Sequence, residues 1–429
     1  MTALTSDILL ERMMSLHPKV IDLTLSRVWR LLVAIGSPEK KLPPVIHIAG
    51  TNGKGSTQAM LRAGIEAAGK QVHAYTSPHI ERFHERITIA GTHICEEHLT
   101  TILDECYIAN GPNPITFFEI TTCAALLAMA RSNADYSLIE VGLGGRLDAT
   151  NVVELPKLCI ITPVSVDHEH FLGNTIPKIA REKAGIIKKG VPVVVGPQID
   201  DAMKVIEDIA SSRRAPLLIY GQHWHVSRER DRMIYQDETG LLDLPLPVLP
   251  GEHQIQNAGA ALAALRHLKI PQQAIEQAVT NASWPARMQR LKDGPFVKLA
   301  GQAELWLDGG HNAAAGNAIG KYLASLPKRP TFLICGMLNT KDIKGFLTPL
   351  AQQANRLIAV SIPNQTNTLP AKVTANQASN AGLEATTAVD VASAIQEVIQ
   401  TESHARILIC GSLYLAGAVL RENKYETLY

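Results

Sequence analysis

The first part of the chain alternates short apolar runs with segments whose apolar residues recur at helical spacing. Residues 1–44 show the helical pattern and end in two prolines. The apolar runs of strand length that follow lie at 45–49, 72–75, 137–141, 158–162, 191–195 and 217–220. Strands that alternate with helices in this way predict an α/β fold with a mostly parallel sheet and helices on both faces.

A second alternating series occupies the C-terminal part of the chain. Residues 222–250 are polar and rich in turn-forming residues, which predicts a small β insertion, and helices are predicted at about 257–267 and 272–282. The later strands are predicted at 305–307, 331–335, 356–360 and 407–409, with helices beginning near residues 314, 341 and 389. We therefore predict two α/β domains, 1–290 and 291–429, with ligands in the cleft between them.

Composition excludes several classes of protein. The 429 residues carry 41 basic and 40 acidic side chains, and 5% are aromatic, so the chain lacks the basic stripe and stacking platforms of a nucleic-acid-binding protein. No window approaches the ~20 apolar residues of a membrane span, and no apolar stretch near Met1 has signal-peptide length. The six cysteines, at 95, 106, 123, 159, 335 and 410, form no C-x-x-C pair. They favour structural thiols in a reducing cytoplasm.

The most informative segment is GTNGKGST at residues 50–57, between a predicted strand and a predicted helix. A glycine-rich turn before a helix points backbone N–H groups at an anion. Lys54 would add a positive charge for the outer phosphates, and Ser56 or Thr57 a hydroxyl for Mg²⁺ or phosphate. The strict P-loop pattern is not met, because a glycine separates the lysine from the serine. An ordinary glycine-rich turn is the alternative, but the flanking strand, helix and lysine favour binding of a nucleoside triphosphate.

Acidic and histidine residues follow two later strands. Glu140 lies at the end of the apolar run 137–141, where a carboxylate beside a phosphate loop usually holds Mg²⁺, although an acid in solvent is the alternative. The sequence Asp-His-Glu-His at 167–170 suggests zinc, but an extended segment would point His168 and His170 to opposite sides. One imidazole reaching a Mg²⁺ ion is more plausible than a zinc site, although Mg²⁺ prefers oxygen ligands.

Two further patterns carry little information by themselves. Residues 175–186 predict a helix with Thr175 as N-cap and Pro177 in its first turn. Lys183 lies two turns into this helix, where a lysine is ordinarily solvent-exposed. Residues 307–312 form a second glycine-containing turn between a strand and a helix, with Asp308 in the turn.

In their order along the chain, these segments resemble the bacterial dihydrofolate synthase/folylpolyglutamate synthase family, a branch of the ATP-dependent Mur-type amide ligases. The matching segments lie at 47–57, 75–79, 116–119, 140–151, 167–168, 179–186, 308–312 and 336–342. The resemblance implies an N-terminal P-loop-type ATPase domain and a smaller C-terminal Rossmann-like domain, with the active site in the interdomain cleft. It implies a ligase that adds L-glutamate to dihydropteroate and to reduced folates through an acyl phosphate. We expect a monomer, because no interface stripe is visible in the sequence, and a cytoplasmic protein, because the cysteines form no paired motif.

The resemblance also implies roles for individual residues. The implied nucleotide contacts are Thr51, Asn52, Gly53, Lys54, Ser56, Asn257, Arg287 and Asp308. The implied Mg²⁺ ligands, for two ions, are Ser77, Glu140 and His168. The implied contacts of the pterin-bearing substrate are Ile21, Asp22, Leu23, Thr116, Phe117, Phe118, Glu119, Leu147, Asp148 and Ala149. Lys183 would be carbamylated by CO₂, and catalysis would depend on Lys54, Glu140, His168 and Lys183.

Three alternatives remain open from the sequence alone. The chain could be a monofunctional folylpolyglutamate synthase, because no motif distinguishes the two activities. A peptidoglycan Mur ligase is disfavoured by the start of the match at 21–23 without a dedicated UDP-binding domain. A non-catalytic nucleotide-sensing module is disfavoured because Lys54, Glu140, His168 and Lys183 are all present.

Overall fold

The computed structural model describes residues 5–17 and 23–424 of the chain. They form two compact units, one made of the residues up to Val248 with Ile255–Ala282, and the other of Leu249–Gln254 with the residues from Ser283 onward. The domain limits expected from the sequence, 1–290 and 291–429, stay a prediction. The compact units divide near residue 283, and residues 249–254 group with the second unit.

The first unit contains most of the helices and strands. Its helices are α1 (Ser6–Ser15), α2 (Ser26–Ala34), α3 (Lys54–Ala67), α4 (Glu96–Asn110), α5 (Phe117–Ala130), α6 (Glu169–Leu172), α7 (Ile176–Ala184), α8 (Asp200–Arg213), α9 (Glu252–His267, which begins in the second unit) and α10 (Gln272–Thr280). Its strands are β1 (Val45–Ala49), β2 (Val72–Tyr75), β3 (Ile87–Ile89), β4 (Thr92–His93), β5 (Tyr136–Glu140), β6 (Leu158–Ile161), β7 (Val193–Val195), β8 (Leu217–Ile219), β9 (Trp224–Glu229), β10 (Arg232–Asp237) and β11 (Gly240–Pro245). Short 3₁₀ helices span Pro38–Lys40 and Phe83–Arg86.

The main sheet of this unit has the strand order β4-β3-β2-β5-β1-β6-β7-β8. The six strands from β2 to β8 in this order are parallel, and β3 and β4 add an antiparallel edge. β1 is buried at every position, because its apolar residues face helices on both sides of the sheet. The predicted mostly parallel sheet is confirmed.

Two apolar cores pack against this sheet. One joins α1, α2, α4 and α5 to the strands, and the other joins α7 and α8 to β6 and β7. α5 is apolar around most of its circumference, and eleven of its residues, from Glu119 to Met129, are buried. A helix that is apolar all round needs burial on all sides, which the surrounding helices and sheet provide.

The predicted β insertion is a three-stranded antiparallel sheet in the order β11-β10-β9. Trp224 and Tyr235 of this sheet stack at a centroid distance of 6.3 Å and are both buried, and Trp224 packs against α9 at Gly259. The helix predicted from about residue 257 begins earlier, at Glu252.

The second unit is also an α/β structure. Its strands are β12 (Gln289–Leu291), β13 (Glu304–Leu307), β14 (Thr331–Cys335), β15 (Arg356–Ala359), β16 (Ala385–Thr387) and β17 (Arg406–Cys410). Its helices are α11 (Pro295–Ala300), α12 (Ala313–Ser325), α13 (Ile343–Ala351), α14 (Ala371–Asn380), α15 (Val391–Thr401) and α16 (Leu413–Lys424). The strand order is β12-β13-β17-β14-β15-β16, parallel except for β12. The four predicted strands are confirmed, whereas β12 and β16 are too short to give a periodic signal.

In the ranges 5–17 and 23–424, no helix has both the length and the apolar character that a membrane span requires. All six cysteines are free thiols, and five of them are buried. Cys95 is exposed.

Candidate active site

Several of the residues predicted to bind nucleotide and metal follow four neighbouring strands of the first unit. β2, β5, β1 and β6 lie side by side and parallel, so their carboxyl ends meet at one edge of the sheet. Ser77 follows β2, Glu140 ends β5, and residues 50–53, which we call the phosphate loop, follow β1. Asp167 and His168 come after β6.

Close packing explains the glycines of the phosphate loop. Gly53 has a φ of +87°, and a Cβ atom there would collide with the side-chain oxygen of Asn257. A Cβ atom at Gly50 would collide with the side chain of Thr162. Only glycine fits both positions without displacement. Asn257, a predicted nucleotide contact that is 4% exposed, therefore lies against the phosphate loop.

The phosphate loop is tied to the segment that leads to His168. The hydroxyl of Thr51 donates to the carbonyl of Ser165 (2.9 Å) and accepts from the Ser165 N–H (3.0 Å). The N–H groups of Thr51 and Asn52 donate to the carbonyl of Pro163 at 3.0 and 3.4 Å. The side chain of Thr51 is therefore engaged in fixing the loop, a contact that sequence reasoning did not predict.

Lys54, the first residue of α3, points back over the phosphate loop. Its ammonium group donates to the carbonyls of Gly50 (3.2 Å) and Thr51 (3.3 Å) and lies 3.9 Å from Oε1 of Glu140. Lys54 and Glu140 have 16% and 6% exposed side chains. This geometry places a cation and a carboxylate beside a helix N-terminus that favours anions.

Ser77 and Glu140 lie next to each other at the ends of β2 and β5. The N–H of Ser77 donates to Oε2 of Glu140 at 3.4 Å. The Ser77 hydroxyl is buried and has no hydrogen-bond partner among the described residues. A buried, unsatisfied hydroxyl beside a carboxylate is costly unless something binds it, and both are oxygen ligands that suit a divalent cation such as Mg²⁺. These two residues therefore fit a metal site.

Lys183 is buried, with 5% of its surface exposed, so the solvent-exposed alternative is wrong. Its ammonium group donates to the carbonyl of Gly50 at 2.8 Å. Burial, and then the positive charge of Lys54, lower the pKa of Lys183 to about 7, against the opposing effects of Asp167 and Asp148. A large fraction of this amine is therefore neutral, and nucleophilic, near neutral pH.

His168 does not lie in an extended segment, so that prediction is wrong. It adopts a φ of +53° as the N-cap of α6, and its side chain is 46% exposed. Its Nε2 lies 3.9 Å from Oδ1 of Asp167. Over residues 5–17 and 23–424, no group of three His, Cys, Asp or Glu side chains is arranged to hold a metal ion, which gives the zinc interpretation no support.

Asp148, a predicted substrate contact, is buried inside the loop that follows β5. Its carboxylate accepts from the N–H of Leu143 (2.8 Å) and from the N–H (3.0 Å) and hydroxyl of Thr150. Burial raises the pKa of Asp148, and these hydrogen bonds oppose the rise. Nε2 of His47 lies 2.9 Å from the Thr150 hydroxyl, which makes a buried chain of three side chains below the loop.

The predicted substrate residues 116–119 form the N-terminus of α5. Thr116 and Glu119 form a capping box, with hydrogen bonds of 2.8 and 3.1 Å. Arg27 of α2 donates from both Nε and an Nη atom to the Glu119 carboxylate at 2.9 Å. The carboxylate of Glu119 therefore positions the helix N-terminus that carries Phe117 and Phe118.

Aromatic contacts hold those two phenylalanines. Phe117 meets Phe83 edge-on at 6.0 Å, and Phe118 stacks on Tyr75 at 6.2 Å. The Arg86 guanidinium lies 5.1 and 5.8 Å from the rings of Phe83 and Phe117.

The remaining predicted residues of the first unit lie at positions 21–23, 56, 147 and 149. Ile21 and Asp22 lie outside the described residues, and Leu23 is half-buried. Leu147 is half-buried, whereas Ala149, and Ser56 in the first turn of α3, are buried.

In the second unit, Asp308 follows β13 and is 6% exposed. Its carboxylate accepts from the N–H groups of Met288 (2.8 Å) and Gly310 (2.6 Å). Burial raises the pKa of Asp308, and the charge of Arg287 opposes the rise. Arg287 lies between Ala286 and Met288, which both have positive φ values, so the backbone turns sharply at this residue.

Sequence reasoning missed the residues that hold the predicted ones in place. These are Arg27, His47, Thr150, Pro163 and Ser165. Apart from the local bonds of Thr150 to Asp148, these contacts join residues far apart in sequence or use the backbone, and neither kind leaves a local pattern.

Comparison with known proteins identifies the family. Residues 48–265 match the Mur ligase middle domain, and residues 297–422 match the C-terminal domain of dihydrofolate synthetase. The dihydrofolate synthase/folylpolyglutamate synthase of Escherichia coli (strain K12) is 36% identical over 337 residues, which cover 78% of this chain and 76% of that protein. The chain belongs to the dihydrofolate synthase/folylpolyglutamate synthase family. The predicted family and the predicted class of ATP-dependent Mur-type ligases are confirmed.

Solved structures agree with this assignment. The structure of Escherichia coli FolC in complex with DHPP and ADP has a TM-score of 0.88 to this chain, 31% identity and 97% coverage of both chains. A bifunctional folylpolyglutamate synthase/dihydrofolate synthase with Mn, AMPPNP and L-glutamate bound has a TM-score of 0.86, 31% identity and 99% coverage of both chains. Relatives of this fold thus bind adenine nucleotides, a divalent metal and glutamate.

Proposed function

We propose that this chain joins L-glutamate to dihydropteroate and to reduced folates in an ATP-dependent amide ligation. The observation that carries the proposal is the convergence of Lys54, Glu140 and Lys183 on the phosphate loop, in a chain of this family. Such a site supplies a loop that can hold phosphate and a carboxylate that can bind a metal ion. It also supplies two lysines that donate to the carbonyl oxygen of Gly50.

The reaction requires activation of a carboxylate, which is a poor electrophile at neutral pH. Transfer of the γ-phosphoryl group of ATP to the substrate carboxylate gives an acyl phosphate. The amine of glutamate then attacks the carbonyl carbon, the C–O bond to phosphate breaks, and the amine loses a proton. The protein contributes mainly by placing the reactants and neutralising charge.

The proposed nucleotide contacts in the first unit are Thr51, Asn52, Gly53, Lys54, Ser56 and Asn257. Arg287 and Asp308, which the resemblance also implies, stay predictions. The supporting observation is that the phosphate loop, Lys54 and Asn257 pack together, and that α3 begins at Lys54. The hydroxyl of Thr51 is bonded to Ser165 and its N–H to the carbonyl of Pro163, so we expect Thr51 to support the nucleotide by fixing the phosphate loop.

Ser77, Glu140 and His168 are the proposed ligands of two Mg²⁺ ions. The unsatisfied hydroxyl of Ser77 beside the Glu140 carboxylate supports this assignment. Bound Mg²⁺ would neutralise charge on the transferring phosphoryl group.

Lys183 is the proposed site of carbamylation. A buried amine with a pKa of about 7 is neutral often enough to attack CO₂. The product is an anion, which suits a position beside Lys54 better than a second ammonium group does.

The pterin-bearing substrate is proposed to contact residues 21–23, 116–119 and 147–149. Phe117 and Phe118 offer aromatic surface at the start of α5, whereas the carboxylates of Glu119 and Asp148 are occupied by hydrogen bonds within the protein. We expect those two acids to fix the shape of the site and not to be its only polar contacts with the substrate. The monomeric state and the cytoplasmic location remain predictions.

Product mass spectrometry tests the proposed function. The full-length protein is incubated with ATP, Mg²⁺ and L-glutamate, and with dihydropteroate or tetrahydrofolate in parallel. Mass increases of one glutamate with both acceptors support the bifunctional enzyme, and an increase with tetrahydrofolate alone supports the monofunctional alternative. Activity only with a UDP-muramoyl peptide, or no acceptor-dependent release of ADP, would contradict the proposal.

A further inference from the structure

Gln58 is a buried polar residue of α3 that the proposed reaction does not use. It lies one turn after Lys54 and is 1% exposed. Its side-chain NH₂ group donates to the carbonyl of Tyr75 at 3.2 Å and to the carbonyl of Leu138 at 3.1 Å. One amide thus joins α3 to two strands, β2 and β5.

The orientation of this amide follows from its partners. Both are carbonyl oxygens, which only accept hydrogen bonds, so the NH₂ group must face them. The opposite atom, Oε1 of Gln58, is buried and has no hydrogen-bond partner among the described residues. A buried acceptor without a partner destabilises a fold, so stability alone does not account for this side chain.

The two carbonyls belong to residues that come just before the candidate metal ligands in sequence. Tyr75 is two residues before Ser77, and Leu138 is two residues before Glu140. β2 and β5 are adjacent parallel strands in which Tyr75 pairs with Ile139. The two candidate ligands are joined directly by a long hydrogen bond, 3.4 Å from the Ser77 N–H to the Glu140 carboxylate. Gln58 adds a bridge between the same two strands, made of one shorter hydrogen bond to each of them.

We propose that Gln58 is a positioning residue that fixes the ends of β2 and β5, and thereby holds Ser77 and Glu140 at the separation at which they bind a divalent cation. This inference rests on the proposed function, because it takes Ser77 and Glu140 as metal ligands. Oxygen ligands must be placed within a fraction of an ångström to bind Mg²⁺ or Mn²⁺ well. Because the amide of Gln58 is neutral, it provides this support without adding charge to the site.

The test measures metal binding directly. Mn²⁺ binding to the full-length protein with ADP present is followed by electron paramagnetic resonance, and ADP binding without metal is measured separately. In Gln58→Met, which keeps the length of the side chain and removes both donors, the Mn²⁺ dissociation constant should rise about tenfold, as it does when the supporting residues of metal ligands are lost. Binding of ADP alone should change less than twofold. Gln58→Asn, which is too short to reach both carbonyls, should show the same direction of change if Gln58→Met does not fold.

Asn110 provides a matched control in the same unit. It is a buried amide that also donates to two backbone carbonyls, those of Gly111 (3.1 Å) and Asn113 (2.7 Å). Asn110→Leu should lower the melting temperature and leave the Mn²⁺ affinity unchanged. If Gln58→Met behaves like Asn110→Leu, with lower stability and an Mn²⁺ affinity within twofold of wild type, Gln58 has only a structural role. If the wild-type protein with ADP binds no Mn²⁺, the proposed metal site fails, and the role of Gln58 fails with it.

Discussion

Lys54 and Lys183 donate to the same acceptor, the carbonyl oxygen of Gly50, at 3.2 and 2.8 Å. Two ammonium groups on one oxygen repel each other, and the charge of Lys54 is the second cause, after burial, of the lowered pKa of Lys183. Lys54 has the Glu140 carboxylate 3.9 Å away. The arrangement thus makes Lys183 the lysine that loses its proton readily.

Replacement of Lys183 should abolish ligation. If its role needs a carbamate anion, Lys183→Ala should be nearly inactive, and acetate should partly restore activity by filling the vacated space. Lys183→Arg should also be inactive, because guanidinium keeps its charge and does not take up CO₂. Lys178→Arg, an exposed position on the same helix, serves as the control and should be fully active. Substantial activity in Lys183→Arg would contradict the assignment.

The same lysine predicts dependence on CO₂. The neutral amine attacks CO₂, an N–C bond forms, and a proton leaves to solvent. With a pKa of about 7, the neutral fraction of Lys183 rises as pH increases through 7. An ordinary lysine is neutral in only about one molecule in a thousand at pH 7.5. Removing dissolved CO₂ should therefore lower ligation, and adding bicarbonate should restore it, more completely at pH 8 than at pH 6.5. Equal activity with and without CO₂ at every pH would exclude a carbamate.

Lys54→Ala should lower turnover by about a hundredfold or more, the effect of losing one preorganised charge contact. The fold should remain intact, because this side chain points over the phosphate loop rather than into an apolar core. Removing the Lys54 charge should also raise the pKa of Lys183. Lys70→Ala, which removes a surface ion pair with Asp135, should have normal turnover. Near-normal turnover in Lys54→Ala would remove the ATP assignment.

Glu140→Gln keeps the size of the side chain and removes its charge. Because Glu140 is a proposed metal ligand, the Mg²⁺ concentration for half-maximal activity should rise about tenfold or more, while the KM for glutamate changes little. Glu105→Gln, at the surface ion pair with Arg131, is the control. An unchanged Mg²⁺ titration in Glu140→Gln would contradict this role, and loss of activity with a zinc-selective chelator would favour the zinc interpretation instead.

The phosphate loop was predictable because its strand, turn and helix are consecutive in sequence. The burial of Lys183 was not, because it depends on a contact with Gly50, 133 residues away. The hydrogen bonds of Glu119 and Asp148 illustrate the same limit. The resemblance identified both as substrate contacts, but which groups occupy their carboxylates depends on α2 and on the folded loop after β5.

The order of the strands in the sheet could not be predicted from the sequence either. β1 lies between β5 and β6, and no local pattern specifies those partners. Pairing is decided by which apolar faces the flanking helices cover, which is a property of the whole unit. The gathering of Ser77, Glu140 and the phosphate loop at one edge therefore becomes visible only in the fold.

Arg27→Met should destabilise the first unit by about 3 kcal/mol, because it leaves the mostly buried carboxylate of Glu119 without its charged partner. It should also raise the KM for dihydropteroate, since Glu119 caps the helix that presents Phe117 and Phe118. In the double variant with Glu119→Gln, stability should largely recover, because glutamine still completes the capping box and carries no charge. Chemical denaturation of both variants measures the difference. A double variant as unstable as Arg27→Met would show that the cost comes from lost packing of the arginine.

His47 should make the protein less stable at acidic pH. Burial, and then the charge of Lys188, lower the pKa of this imidazole from 6.5 to about 3. Between pH 6.5 and 3 the unfolded chain therefore binds a proton at His47 that the folded protein does not. Stability from this group is fully present above pH 6.5 and is lost as pH falls toward 3, by about 1.4 kcal/mol per pH unit.

Replacing His47 isolates this contribution. His47→Gln keeps a donor for the Thr150 hydroxyl and does not titrate, so its free energy of unfolding should fall less steeply than that of the wild type between pH 6 and 4. His225→Gln, at an exposed position of β9, should keep the wild-type slope. His253, whose pKa burial lowers to about 4, should leave a residual slope in His47→Gln. Parallel curves for the wild type and His47→Gln, measured by urea denaturation at each pH, would mean that His47 is not the group that titrates on unfolding.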